Sequence, residues 1–212
     1  MTVFRKAGVG LALVAGFMVA SAHAQSLPRI EEFYFDSDTA AQPLTVIEGE
    51  SDSVVDQLMK LRDRGRKAVE ATSQLARIAM AQGRVDLGRR LHEAAIADTQ
   101  ATSVQGRAVR WNYAWDLFRA GETDTALSEW TAVHASTRGN PGWVPQTYAL
   151  ALWTLGQKQE AVRWYAAAVR TKPRAWADPV NYPQLLPHWR EQDRETLAQV
   201  QKAWVEAPPS WP

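Results

Sequence analysis

Three short stretches of this 212-residue chain repeat one pattern: Gln82-Gly83-Arg84-Val85-Asp86, Ala120-Gly121-Glu122-Thr123-Asp124 and Leu155-Gly156-Gln157-Lys158-Gln159. Each closes one amphipathic run and opens another. The glycines stand at positions 83, 121 and 156, 38 and then 35 residues apart. At such a period neither helix of a hairpin buries its apolar face alone, and each hairpin has to stack on the next. The spacing predicts an all-α chain built by stacking, a scaffold that binds rather than a catalyst.

The first 24 residues stand outside that pattern. Arg5 and Lys6 precede the uncharged run Ala7 to Ala20, and Ala22-His23-Ala24 supplies a small-x-small cleavage site before Gln25. This is the three-part form of a secretory signal peptide, with cleavage between Ala24 and Gln25. A membrane anchor is the poorer reading, because a span needs ~20 apolar residues and Gly8, Gly10, Gly16, Ser21 and His23 interrupt this one. Removing 24 of the 212 residues leaves 188, enough for one domain with a real core.

The removed segment carries Arg5 and Lys6 and no acid, so 24 basic residues fall to 22 against 23 acidic ones. A net charge near −1 offers no footprint for nucleic acid. There is no cysteine; the exported chain holds together by packing rather than disulfides, and Gln25 stands where a bacterial lipoprotein requires its lipidated Cys. The expected location is the periplasm or the exterior, with no stable membrane anchor after cleavage.

Residues 25–50 hold Pro28, Pro43, Gly49 and the patch Glu31-Glu32-Phe33-Tyr34-Phe35-Asp36, with no sustained helical period. They read as an extended segment with a short strand at Leu44 to Ile47. Ser53-Val54-Val55-Asp56 has capping-box form and opens an N-terminal helix within 51–65, with Val54, Leu58 and Leu61 on one face. The array over 66–173 then pairs Val69, Leu75, Ile78 and Met80 with Leu87, Leu91, Ala94, Ala95 and Ile96, next Val109–Arg119 with Ala126–Val133, and last Val144–Trp153 with Ala161–Val169. Asn140 before Pro141 marks the start of the third pair. Over 174–212, Pro179, Pro183 and Pro187 predict a non-helical connection. A capping helix with Leu197, Val200 and Trp204 on one face follows, then a Pro-rich tail.

These repeats resemble the tetratricopeptide family, whose pattern places a small residue in the first helix, a Gly turn, then Ala, an aromatic and a small residue, and a closing proline. The third repeat carries Ala149, Gly156, Ala161, Tyr165, Ala168 and Pro173, and the second Ala114, Gly121, Ala126 and Trp130. In the first, Ala76, Gly83 and Ala95 fit, whereas Gly88 and His92 stand where Ala and an aromatic are expected. Arg110 and Pro145 replace the family's early tryptophan in the last two. The resemblance covers about residues 66–173 and implies an α-solenoid of about three hairpins, with a concave face lined by first helices.

Tryptophan is the unusual quantity, with ten, all at or beyond position 111. Trp111, Trp115 and Phe118 form one stripe at helical spacing. Carried over from the family's architecture, that stripe and Trp143, Leu150 and Trp153 fall on the concave groove, together with Arg77, Met80, Arg119 and Gln146. Such a stripe is core, or is covered by the chain's own N-terminal segment or Pro-rich tail, or is a groove for a protein or peptide partner in the cell envelope. A glycan stacked on indoles is the alternative ligand, and an envelope enzyme the third reading. No enzyme motif supports that third reading. His92-Glu93 begins a zinc-protease pattern but Ile96 stands where the second His belongs, and no nucleophile elbow or phosphate loop occurs. No metal, cofactor or catalytic residue is nominated. N-terminal sequencing of the exported protein is expected to begin at Gln25; a membrane-bound product that keeps residues 1–24 would overturn the cleavage.

Overall fold

The computed structural model describes residues 27–210, so the predicted signal segment and its cleavage site lie outside the described residues. The fold is all-helical: α1 (Asp52–Arg64), α2 (Ala68–Ala81), α3 (Val85–Ala97), α4 (Val104–Arg119), α5 (Thr123–Ser136), α6 (Val144–Thr154), α7 (Lys158–Thr171), the single-turn pieces α8 (Pro173–Trp176) and α9 (Tyr182–Leu185) around a 3₁₀ turn at Pro179–Asn181, and α10 (Glu191–Glu206). Among the described residues there is no strand, and none of the helices is long and apolar enough to cross a membrane.

The three predicted hairpins are present: α2 packs on α3, α4 on α5 and α6 on α7, with α4 also on α2 and α3, and α6 on α5. Gly83, Gly121 and Gly156 close the first helices with φ of 79°, 86° and 78°. Each turn is stitched the same way. The glycine N–H donates to Met80, Phe118 or Trp153 O, and the next N–H donates to Ala79, Leu117 or Leu152 O. No atom crowds a Cβ at any of the three, so it is the left-handed backbone, not lack of room, that selects glycine.

Small residues sit where the helices of a pair cross. Ala126 and Ala161 are fully buried, and Gly88 holds the same place in α3. A Cβ on Gly88 would collide with Met80 Cγ and come within 2.8 Å of the Ala76 carbonyl oxygen. One turn further on, His92, Trp130 and Tyr165 are all fully buried. The apparent departures of the first repeat are thus its packing residues. Gly88 lets α3 approach closer than alanine would, and His92 fills the aromatic place, its ring 4.7 Å from that of Tyr113.

Four expectations are corrected. Leu44 to Ile47 forms no strand, because its main-chain groups bond side chains of α2 and α4 rather than a neighbouring strand. Ser51, not Ser53, caps α1, accepting the Val54 N–H. Asn140-Pro141 does not open α6, which begins at Val144 with Pro145 in its first turn; the Asn140 carbonyl accepts the Asp36 N–H and the Gly142 N–H donates to Asp36 O, making the bridge of Asp36 with Pro141. The proline-rich connection is partly helical: Pro179 opens a 3₁₀ turn and Pro183 stands second in α9, positions where the missing N–H costs nothing, while Pro187 lies in the non-helical stretch before α10. The α10 helix then packs on α6 and α7, burying Leu197 and Val200.

Glycine-to-alanine in a helix ordinarily stabilises by up to ~1 kcal/mol. At Gly88 the collision outweighs propensity, and Gly88→Ala is expected to destabilise by about 1–3 kcal/mol in chemical denaturation. A variant as stable as the parent would show that α3 does not approach α2 at this point.

Candidate functional site

The N-terminal segment builds one wall of the site. Its upstream anchor is Tyr34, whose N–H donates to Thr171 Oγ1 of α7 at 3.1 Å and whose ring lies 6.0 Å from that of Trp164. Burial pushes the Tyr34 phenol up to about 12. Asp38 fastens the next stretch, with Arg107 Nη2 at 3.4 Å and the Trp143 indole N–H donating at 3.2 Å. From Gln42 the chain crosses α4 and α2 as a strap. Asn112 donates to Gln42 O at 2.9 Å and accepts the Leu44 N–H at 3.0 Å. Gln74 accepts the Val46 and Ile47 N–H groups at 2.7 and 3.2 Å and donates to Ile47 O at 2.6 Å. The strap ends where Glu50 pairs with Arg77 at 2.6 Å, two residues before α1.

The opposite wall is the turn before α10. Trp189 reaches back so that its ring lies 4.9 Å from that of Trp115 at 66°. Arg194 fixes that turn by donating to the Leu186 and Trp189 carbonyls. Between strap and turn is a cavity of about 330 Å³ lined by Pro43, Thr45, Arg77, Trp111, Trp115, Arg119, His188 and Trp189 among others. A neighbouring one of about 560 Å³ shares Glu50, Arg77 and Arg119 and adds Met80, Asp116 and Arg190. The two form one cleft.

Three guanidinium groups meet there, each with a carboxylate. Arg77 holds Glu50 at 2.6 Å and Arg190 holds Asp193 at 2.8 Å, but Arg119 lies 3.5 Å from Asp116. Asp116 is 4 % exposed and takes its closer bond, 2.9 Å, from His92 Nε2. An ionised carboxylate only accepts, so that imidazole nitrogen carries the proton. Burial, together with the neighbouring Arg190 and Arg77 charges, lowers the Arg119 pKa, opposed by Asp116; a guanidinium stays charged even so. Arg119, with 32 % of its side chain exposed, is the cation of the cleft least engaged by its partner.

The predicted groove residues divide. Arg77, Met80, Trp111, Trp115 and Arg119 line the cleft, but Trp111 and Trp115 are 7 % and 3 % exposed. Phe118 is buried beside them, packed on Trp115 and Trp130. Trp143 and Gln146 belong to a separate cavity of about 390 Å³ beside Tyr34, Phe35 and Trp176. Leu150 is core. Trp153 is half-buried against α10, donating to Gln199 Oε1, with Lys158 Nζ 3.7 Å from its ring centre, and lines a further cavity of about 360 Å³ with Val162, Ala203 and Pro209. No single open groove collects them, because α10 occupies the first-helix face of the third hairpin and the strap occupies that of the first two.

Sequence reasoning missed Gln74, Asn112, Glu50, His188, Trp189 and Arg190. A signal for the first two was present: they are 38 residues apart, the spacing of Gly83 and Gly121, and so hold one repeat position. Among the described residues no group of three or more His, Asp or Glu side chains is placed to hold a metal ion. Compared with family models, curated proteins and solved structures, the chain matches none of them.

Because Trp115 is surrounded by Trp111, Phe118, Trp130 and Trp189, Trp115→Ala is expected to cost about 3–5 kcal/mol of folding free energy. Arg119→Ala, at the surface, is expected to stay within about 0.5 kcal/mol of the parent. Equal, small losses in denaturant melts would place Trp115 outside the core.

Proposed function

We propose that this chain is an exported α-solenoid of tetratricopeptide-like hairpins. It acts without catalysis as a scaffold or adaptor of the cell envelope, binding a protein or peptide partner at the cleft between the strap and the Trp189 turn. The observation that carries this is the convergence of Arg77, Arg119 and Arg190 over a tryptophan floor, with Arg119 3.5 Å from a carboxylate already bonded to His92. Arginine and tryptophan are the residues on which interface energy concentrates, and a guanidinium with bonding capacity to spare suits a carboxylate or carbonyl of a polypeptide. A glycan draws less support, since stacking needs a free indole face and Trp115 is buried with the Arg119 guanidinium 5.6 Å from its ring centre.

The test places a photo-crosslinking amino acid at the exposed His188 and compares the parent with Arg119→Glu in the native envelope. A discrete crosslinked polypeptide whose yield falls at least tenfold on charge reversal, about 1.4 kcal/mol, with unchanged melting, is the expected result. Crosslinking indifferent to Arg119, or a glycan product instead, would overturn it.

A further inference from the structure

The strap holds the cleft's first-helix face in an unusual way. Five of its main-chain groups, Gln42 O, Leu44 N–H, Val46 N–H, Ile47 N–H and Ile47 O, are satisfied by just two side chains, Gln74 and Asn112. Both are nine-tenths buried or more, at 1 % and 7 % exposure, and Asn112 is itself held by the Ala108 carbonyl at 2.8 Å. The recognition is of an extended backbone, reinforced by the half-buried side chains of Val46 and Ile47 and by Glu50 on Arg77, which a Gly/Ser chain lacks. The strap's own side chains are held less firmly than its flanks: Val46 and Ile47 pack half-buried on the cluster of Val54, Leu58, Leu75 and Ile78, but no residue from Ala41 to Glu50 is buried, whereas Ala40 before it and Val54 and Leu58 after it are. The segment is thus a bridge between two firm anchors. Lifting it while both stay in place would regain backbone entropy of roughly 1–2 kcal/mol per residue freed against the five bonds to Gln74 and Asn112 and the packing of Val46 and Ile47, the balance of a segment that opens locally.

Resting on the peptide-partner reading, we propose that residues 42–50 are a resident competitor, and that the partner is an extended acidic segment that takes the strap's place. Its main chain bonds Gln74 and Asn112, and a carboxylate three residues beyond the Gln74 contact replaces Glu50 on Arg77. The strap supplies the pattern: Ile47 on Gln74, then Glu50 on Arg77 at 2.6 Å. Displacing it widens the cavity that Pro43 and Thr45 line together with Trp111 and Trp115, while Trp189 stays on Trp115. Arg119 then faces whatever follows in the incoming segment.

The probe is a fluorescent synthetic peptide with the sequence of residues 40–50, titrated against the full chain and against a variant in which residues 42–50 are a nine-residue Gly/Ser linker. The linker variant is expected to bind at least tenfold more tightly than the parent, and a peptide carrying Glu50→Gln to lose most of that gain. Equal binding by both chains, or none by a folded linker variant, overturns the proposal. If the Arg119-dependent crosslink at His188 persists in that case, the partner reading survives without the strap as competitor. Hydrogen exchange on the unaltered chain gives a test independent of the variant: the amides of Leu44, Val46 and Ile47 are expected to exchange at least a hundredfold faster than those of α4. Protection equal to that of α4 would mean the strap opens only with the whole fold, and the proposal fails.

Discussion

Close approach of paired helices at a small residue is the contact on which the rest of the molecule depends. At Gly88, Ala126 and Ala161 the second helix of each hairpin presses against the first, and a larger side chain would force the axes apart. That approach brings the next inward position, four residues on, into the interior. Trp130 and Tyr165 are fully buried there, and burying an aromatic of 150–250 Å² is worth roughly 4–6 kcal/mol by area before entropy is counted. The glycine turns fix the relative direction of the two helices, but the small residue fixes their distance, and distance decides whether the aromatic is sealed.

The first hairpin meets the same requirement with different chemistry. A histidine buries less apolar area than tryptophan, so His92 needs a polar partner, and Asp116 supplies it from the first helix of the next hairpin. A hydrogen bond to a charged group contributes about 1.5–3 kcal/mol, which offsets much of the difference. The consequence reaches the cleft. Asp116 is drawn toward His92, and its other oxygen lies 3.5 Å from Arg119, so the packing solution of the first repeat sets the charge balance of the surface above it.

Segments on either side of the three hairpins fold back on the first helices. The strap covers α2 and α4, the α10 helix covers α6, and Trp189 joins the two by seating on Trp115. An array of this kind leaves a line of first helices with apolar and amide side chains pointing outward. Here α2 and α4 are closed by backbone bound to Gln74 and Asn112, and α6 by an amphipathic helix. What stays accessible is the rim, which is why the cleft is bounded by arginines whereas the tryptophans form its floor.

The sequence by itself determined the helices, the turns and the pairing, because these follow from local rules. A glycine at positive φ ends a helix wherever it stands, and apolar residues at helical spacing bury one face whatever covers it. It also marked the small crossing residues and the capping helix by their recurrence. Only the tertiary structure decided which apolar stripes were covered and by what. Trp111 and Trp153 occupy stripes of the same pattern, yet one floors a cleft under the strap and the other lies beneath α10. Residues 42–50 carried no periodicity because their bonds go to side chains at positions 74 and 112, far along the chain. Long-range main-chain capture leaves no local pattern, and that is the physical reason the strap and the Trp189 turn were illegible in the sequence while the hairpins they close were not.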